Sequence, residues 1–275
     1  MDVEAALAAL AAPDHVPRLR AQAALLAAAR EDAAFADALL LAGLLDARPN
    51  AAACCARIAA ALRHAPSRRR LEALCADHRA PLRARKAAAQ ALGWLGEPAS
   101  AASLQALLTH PNAMARRAAL EALGRVGGER ALAALRAALG ERSWALRQEA
   151  VLGLGGLGDA ALEAIDALTE ALRGESHGPT AEQCLRQIAA LGQAHGEARD
   201  AALAALRGAL EAPSPLPDAE RWRLRRAVAR GLGELGDRAS LARVAALRAD
   251  PSWAVAESAD WAWRALTVPS RGELG

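Results

Sequence analysis

Tyrosine is absent from this 275-residue chain, Phe35 is its one phenylalanine, and Lys86 is the one lysine among 34 basic residues. Strands draw on aromatic and β-branched side chains, whereas 79 of the residues here are alanine, the strongest helix former. An all-α protein follows. Long apolar runs are also missing. No segment approaches the roughly 20 uninterrupted apolar residues of a membrane-spanning helix. The opening Met-Asp-Val-Glu has no basic start, and the alanine-rich run after it breaks at Pro13, so no secretory signal is expected. Cys54, Cys55, Cys75 and Cys184 form no C-x-x-C pair, which fits buried thiols in a reducing compartment. A soluble, cytoplasmic protein without a membrane partner is the expectation. There is no P-loop, no G-x-S-x-G and no nucleophile–base pair, so no catalytic residue, metal ligand or cofactor is assigned.

What the chain has is a repeat. Gly93-Trp-Leu-Gly96 returns as Gly124-Arg-Val-Gly127 and as Gly155-Gly-Leu-Gly158, 31 residues apart each time. Such a period, read through helical patterning, predicts a solenoid of stacked helix pairs. Helices are expected near 85–95, 116–126, 147–157, 181–191, 225–235 and 256–266 as the second member of each pair. First members are expected near 99–109, 129–139, 160–172, 198–210 and 238–248. Two apolar columns run through the second helices: Leu92, Leu123, Leu154, Ile188, Leu232 and Trp263, then Leu95, Val126, Leu157, Leu191, Leu235 and Leu266. Their three-residue offset makes one buried stripe. Ala88, Ala119, Ala150 and Ala259, with Val228 the exception, mark the closest helix approach. Gly96, Gly127, Gly158, Gly192 and Gly236 are expected as left-handed caps just past helix ends. Pro111 and Pro251 open turns before second helices, where proline suits a first-turn position. Because these glycines follow helices, they are not a dinucleotide fingerprint.

The pattern P-x-x-x-x-R-x-x-A-x-x-x-L-G-x-x-G resembles the HEAT-repeat family, in the short variant of phycobilisome lyases, over roughly residues 80–267. The resemblance implies a right-handed α-solenoid of stacked antiparallel helix pairs, with second helices lining a concave face. The family includes adaptors, bilin lyases, DNA glycosylases and an iron-dependent hydroxylase. The hydroxylases take their ligands from paired His-Glu motifs, and no His-Glu dipeptide occurs here. His15, His64, His78, His110, His177 and His195 lie near inferred turns without a common ligand register. Residues 1–80 are read as divergent repeats and a cap, with helices near 2–12, 16–30, 32–46, 50–63 and 66–78. Residues 81–267 carry the regular repeats with a proline-rich insertion at 211–220, and 268–275 form a tail.

Columns facing the concave side read Lys86, Arg117, Gln148, Glu182, Arg226, Glu257 and Gln90, Glu121, Leu152, Arg186, Arg230, Trp261. Arg83 and Arg223 flank them. This makes the groove basic on balance, although the formal net charge is only +3. Arg83, Lys86, Arg117, Arg186, Arg223, Arg226 and Arg230 are the anion contacts, since arginine's planar fork suits carboxylates and phosphates. Trp261 is the aromatic anchor. Trp144, Trp222 and Trp253 share one repeat position, as an aromatic edge or as packing between layers. Arg85, Arg116, Arg147 and Arg225 are read as structural, and Arg68–Arg70 as a solvated run.

The expectation is therefore a scaffold or adaptor holding a partner protein or acidic peptide. Nucleic acid is the second candidate partner, through DNA binding or a glycosylase-like site in which Asp260 lies between Trp253 and Trp261. A bilin lyase or cofactor-attachment chaperone is the third reading.

Overall fold

A computed structural model describes residues 2–46, 48–62 and 65–268; His64 and the tail from 269 lie outside them. Every regular element among the described residues is helical. The helices are α1 (Val3–Leu10), α2 (His15–Glu31), α3 (Ala33–Leu45), α4 (Pro49–Leu62), α5 (Ala65–Ala76), α6 (Leu82–Leu95), α7 (Ala101–Leu108) and α8 (Ala113–Val126). They continue with α9 (Gly128–Ala138), α10 (Trp144–Gly155), α11 (Ala161–Gly174), α12 (Gly178–Ala194), α13 (Arg199–Glu211), α14 (Trp222–Glu234), α15 (Leu241–Leu247) and α16 (Trp253–Thr267). None is long and apolar enough to cross a membrane.

The chain forms two compact units, Met1–Ala134 and Leu135–Gly275, divided within α9. In the first, α2, α4, α6 and α8 pack successively, and each also packs on the helix before it. In the second, α10, α12, α14 and α16 form such a row, with α11, α13 and α15 paired to the last three. Each unit is thus an all-α solenoid segment of stacked helix pairs.

The apolar columns make the core. Leu92 and Leu123 in the first unit, and Leu154, Ile188 and Leu232 in the second, are fully buried. Trp263, last in that column, is half-exposed, with Arg248 lying 4.6 Å above its ring. All five members of the small-residue column are fully buried. The closest helix contacts require glycine itself: a Cβ on Gly93 would fall 2.9 Å from the Ala122 Cα.

Gly96 and Gly236, at φ 66° and 65°, occupy the left-handed region that side chains resist. Two other glycines differ from expectation. Gly192 lies inside α12, where it makes room for Ala202 of α13 rather than a cap. Gly158 opens a short 3-10 turn without positive φ, against the His195 ring. Pro111 and Pro251 precede the N-cap residues Asn112 and Ser252 instead of occupying the first turn.

Gly208 is the opposite of Gly93. It lies within α13, and a Cβ there meets nothing within 4 Å. Gly208→Ala is expected to stabilise the protein by about 0.5–1 kcal/mol, because alanine loses less backbone entropy in a helix. A chemical-denaturation midpoint that falls would contradict this.

Candidate partner-binding groove

In the second unit the row α10, α12, α14 and α16 is fixed by arginine brackets. Arg147 donates to the carbonyls of Glu141 (3.0 Å) and Arg142 (3.1 Å), holding the turn that precedes α10. Its Nε and Nη2 also reach both oxygens of Glu175, each at 2.7 Å, in the turn before α12. Glu175 accepts the His177 amide as well, at 2.8 Å. Burial would raise the Glu175 carboxyl, but these hydrogen bonds hold it below its ordinary range. Arg225 of α14 repeats the device on Asp250 before α16, and Asp250 accepts the Ser252 amide. Arg207 of α13 clasps the buried Asp237 beyond α14.

In the first unit the same column behaves similarly. Arg116 donates to the His110 and Pro111 carbonyls, and the buried Arg85 to the Cys75 carbonyl at 2.9 Å. The regular arginines are therefore structural. Sequence reasoning missed one: Arg18 donates to the carbonyls of Ala12 (2.7 Å) and Pro13 (3.0 Å). The signal was present, since Pro13 precedes Arg18 by five residues, as Pro111 precedes Arg116.

With their turns fixed, α12, α14 and α16 line an open groove of about 850 Å³. Arg186, Arg226, Arg230, Trp222 and Trp253 all contribute to its walls, together with Glu182, Glu234 and Glu257. Most of this charge is matched internally. Glu182, with its side chain only 10% exposed, pairs with Arg226 and, at 3.4 Å, with Arg223. Arg230 pairs with Glu234 at 2.9 Å. Arg186 and Glu257 are exposed and carry no ion pair among the described residues. Three arginines thus face three glutamates in the groove, and one open charge of each sign remains; Arg223 lies outside the lining, against Glu182 and Glu220.

The aromatic residues differ in cover. Trp222 lies beneath Arg223 (4.8 Å) and Arg226 (5.1 Å), and Trp261 beneath Arg230 (4.9 Å). Trp144 stacks on His177 at 4.4 Å and does not line the groove. Trp253 is 76% exposed. Asp260 is held by Arg248 and Arg264 and is absent from the groove lining.

Arg83, Lys86 and Arg117 belong to the first unit. Arg83 and Arg117 are exposed and Lys86 is half-buried, with Arg83 donating to the Asp46 carbonyl at 3.0 Å. The four cysteines are buried, and burial pushes the Cys55, Cys75 and Cys184 thiols up to about 12, so they stay protonated. No group of three or more His, Cys, Asp or Glu among the described residues is placed to hold a metal.

The HEAT repeats family model matches residues 102–189, and the PBS lyase HEAT-like repeat model matches residues 84–110. Residues 84–189 of this chain therefore carry HEAT repeats, those over 84–110 of the phycobilisome-lyase-like kind. No curated protein sequence matches the chain. Among solved structures, it is similar to human deoxyhypusine hydroxylase in complex with glycerol, at 22% identity and TM-score 0.39, covering 96% of this chain and 95% of that one. It is also similar to the CpcE–CpcF complex of phycocyanin lyase from Nostoc sp. PCC7120, at 23% identity and TM-score 0.43, covering 83% and 94%. A third is the karyopherin Kap121p bound to the extreme C-terminus of the protein phosphatase Cdc14p, at 14% identity and TM-score 0.57. That match covers 97% of this chain but only 34% of the Kap121p chain, so this chain spans about a third of its length.

Proposed function

We propose that this protein is a binding scaffold that seats a segment of a partner protein in the α12–α14–α16 groove. The observation that carries the reading is the division of labour among the groove's side chains. Glu182 and Glu234 hold Arg226 and Arg230 in place, so the walls lose little side-chain entropy on binding. Arg186, Glu257 and Trp253 are left open to make new contacts. Arginine and tryptophan are the residue types that dominate interface energetics. The similar solenoid of Kap121p is bound to a chain terminus of Cdc14p, and a segment laid along α12, α14 and α16 is the mode we assign here. Because the arginines are largely neutralised, the partner segment carries both an acidic residue, for Arg186, and a basic one, for Glu257.

The test is capture of partners from the native host with the full chain and with an Arg186→Glu, Trp253→Ala double variant, each with and without nuclease. A protein held by the wild type is expected to bind the variant at least about tenfold more weakly, equivalent to about 1.4 kcal/mol. The variant should keep the wild-type circular dichroism and melting temperature. Equal retention by both chains would overturn the groove assignment, and material lost on nuclease treatment alone would point to nucleic acid.

A further inference from the structure

Trp222 and Trp253 occupy one repeat position, at the first residue of α14 and of α16. Four residues on, where one helical turn brings side chains to the same face, α14 has Arg226 and α16 has Glu257. In α14 the chain therefore supplies its own cation, and the Arg226 guanidinium lies 5.1 Å from the Trp222 ring centroid. In α16 a carboxylate stands in that place. Arg226 is not available to it, because its guanidinium is turned to Glu182 of α12.

The contrast holds across the second unit. Trp144 is covered by the His177 ring, Trp222 by Arg223 and Arg226, Trp261 by Arg230 and Trp263 by Arg248. Trp253 has no such cover among the described residues and is 76% exposed. It lines the groove together with Glu257, which has no ion pair among them. An aromatic face attracts a cation through its quadrupole, and a carboxylate one turn away supplies the counter-charge and hydrogen-bond acceptors.

Resting on the groove reading above, we infer that Trp253 and Glu257 form a receptor for one cationic side chain, lysine or arginine, of the partner segment. The ammonium or guanidinium lies over the indole face and donates to the Glu257 carboxylate. A segment that is acidic throughout does not satisfy this site.

The experiment follows the indole Nε1–H resonances of the ¹⁵N-labelled full chain, with Trp253 assigned from the signal missing in Trp253→Phe. Tetralysine and tetraglutamate are the probes. Tetralysine is expected to shift the Trp253 signal saturably, with affinity at least about threefold weaker in Glu257→Gln, while tetraglutamate leaves the signal in place. Circular dichroism of Glu257→Gln should match wild type. No shift with tetralysine, an equal shift with tetraglutamate, or an unchanged response in Glu257→Gln would each overturn the cation site. A partner that is captured by the wild type and lost on Arg186→Glu, with Trp253 silent to tetralysine, overturns this inference alone. Capture that ignores every groove substitution overturns the groove reading itself.

Discussion

Arg147→Ala is expected to lower stability by about 3–5 kcal/mol at neutral pH, the cost of stranding one partner of a buried ion pair. Glu175 is the reason. Its side chain is only 4% exposed and receives two hydrogen bonds from Arg147, leaving the His177 amide as its other donor. Arg147 also ties down the turn before its own helix, so the substitution loosens two successive repeats. The pH dependence separates this cause from a general loss of packing. In the native protein the Glu175 carboxyl lies below its ordinary range, despite the burial that opposes this. The unfolded chain then binds the proton more readily, so the bracket's contribution is full above the ordinary carboxylate pKa, around 4. It is lost as pH falls through the lowered value. The deficit of Arg147→Ala should therefore be large at pH 7 and much smaller near pH 2. Urea midpoints at the two pH values measure it, and equal deficits would refute the ion-pair explanation. Glu175→Gln, which keeps an uncharged acceptor, is expected to cost less.

Gly233→Val is expected to destabilise by about 3 kcal/mol, at the upper end for forcing extra atoms into a packed interior. A Cβ at this position would lie 2.8 Å from the Ala262 Cβ and from Trp261 Cζ3, and 2.9 Å from the Ala262 Cα. The backbone atom cannot yield without separating α14 from α16. The gain from removing a helical glycine, under about 1 kcal/mol, is smaller than this strain. Gly208→Ala serves as the control, since it adds a methyl group to a helical glycine with open space around it. Thermal unfolding of both variants decides the matter: if Gly233→Val melts no lower than wild type, the helices do not need this close approach.

The architecture was legible because it is periodic. Each repeat buries the same positions, so Leu92, Leu123, Leu154, Ile188 and Leu232 announce one stripe before any coordinates are known, and all are fully buried. Deviations came where tertiary contacts replaced local rules. Gly192 looks like a cap in the aligned sequence, yet it answers to the approach of Ala202 from the next helix. Trp263 stands in an apolar column but is half-exposed in the final repeat, with Arg248 over its ring. Arg18 was overlooked because the residues around it lack the Gly-x-x-Gly signature, although its Pro-x-x-x-x-Arg spacing is intact.

The groove was harder to read. Column positions place Arg223, Arg226 and Arg230 with Glu182 and Glu257, but they do not say which charges meet. Glu182 and Arg226 are 44 residues apart in the chain, and their pairing depends on how α12 and α14 pack. Helical periodicity, alanine content and repeat spacing determined by themselves that this protein is a stack of helix pairs with a leucine-rich stripe. These are local properties, set by propensity and by the turn of one helix. Only the tertiary structure decided which arginines are already engaged, which glycines answer to a neighbouring helix, and that Trp253 and Glu257 stay open. Those outcomes depend on distances between side chains remote in sequence, where a few ångströms separate an ion pair from a free charge.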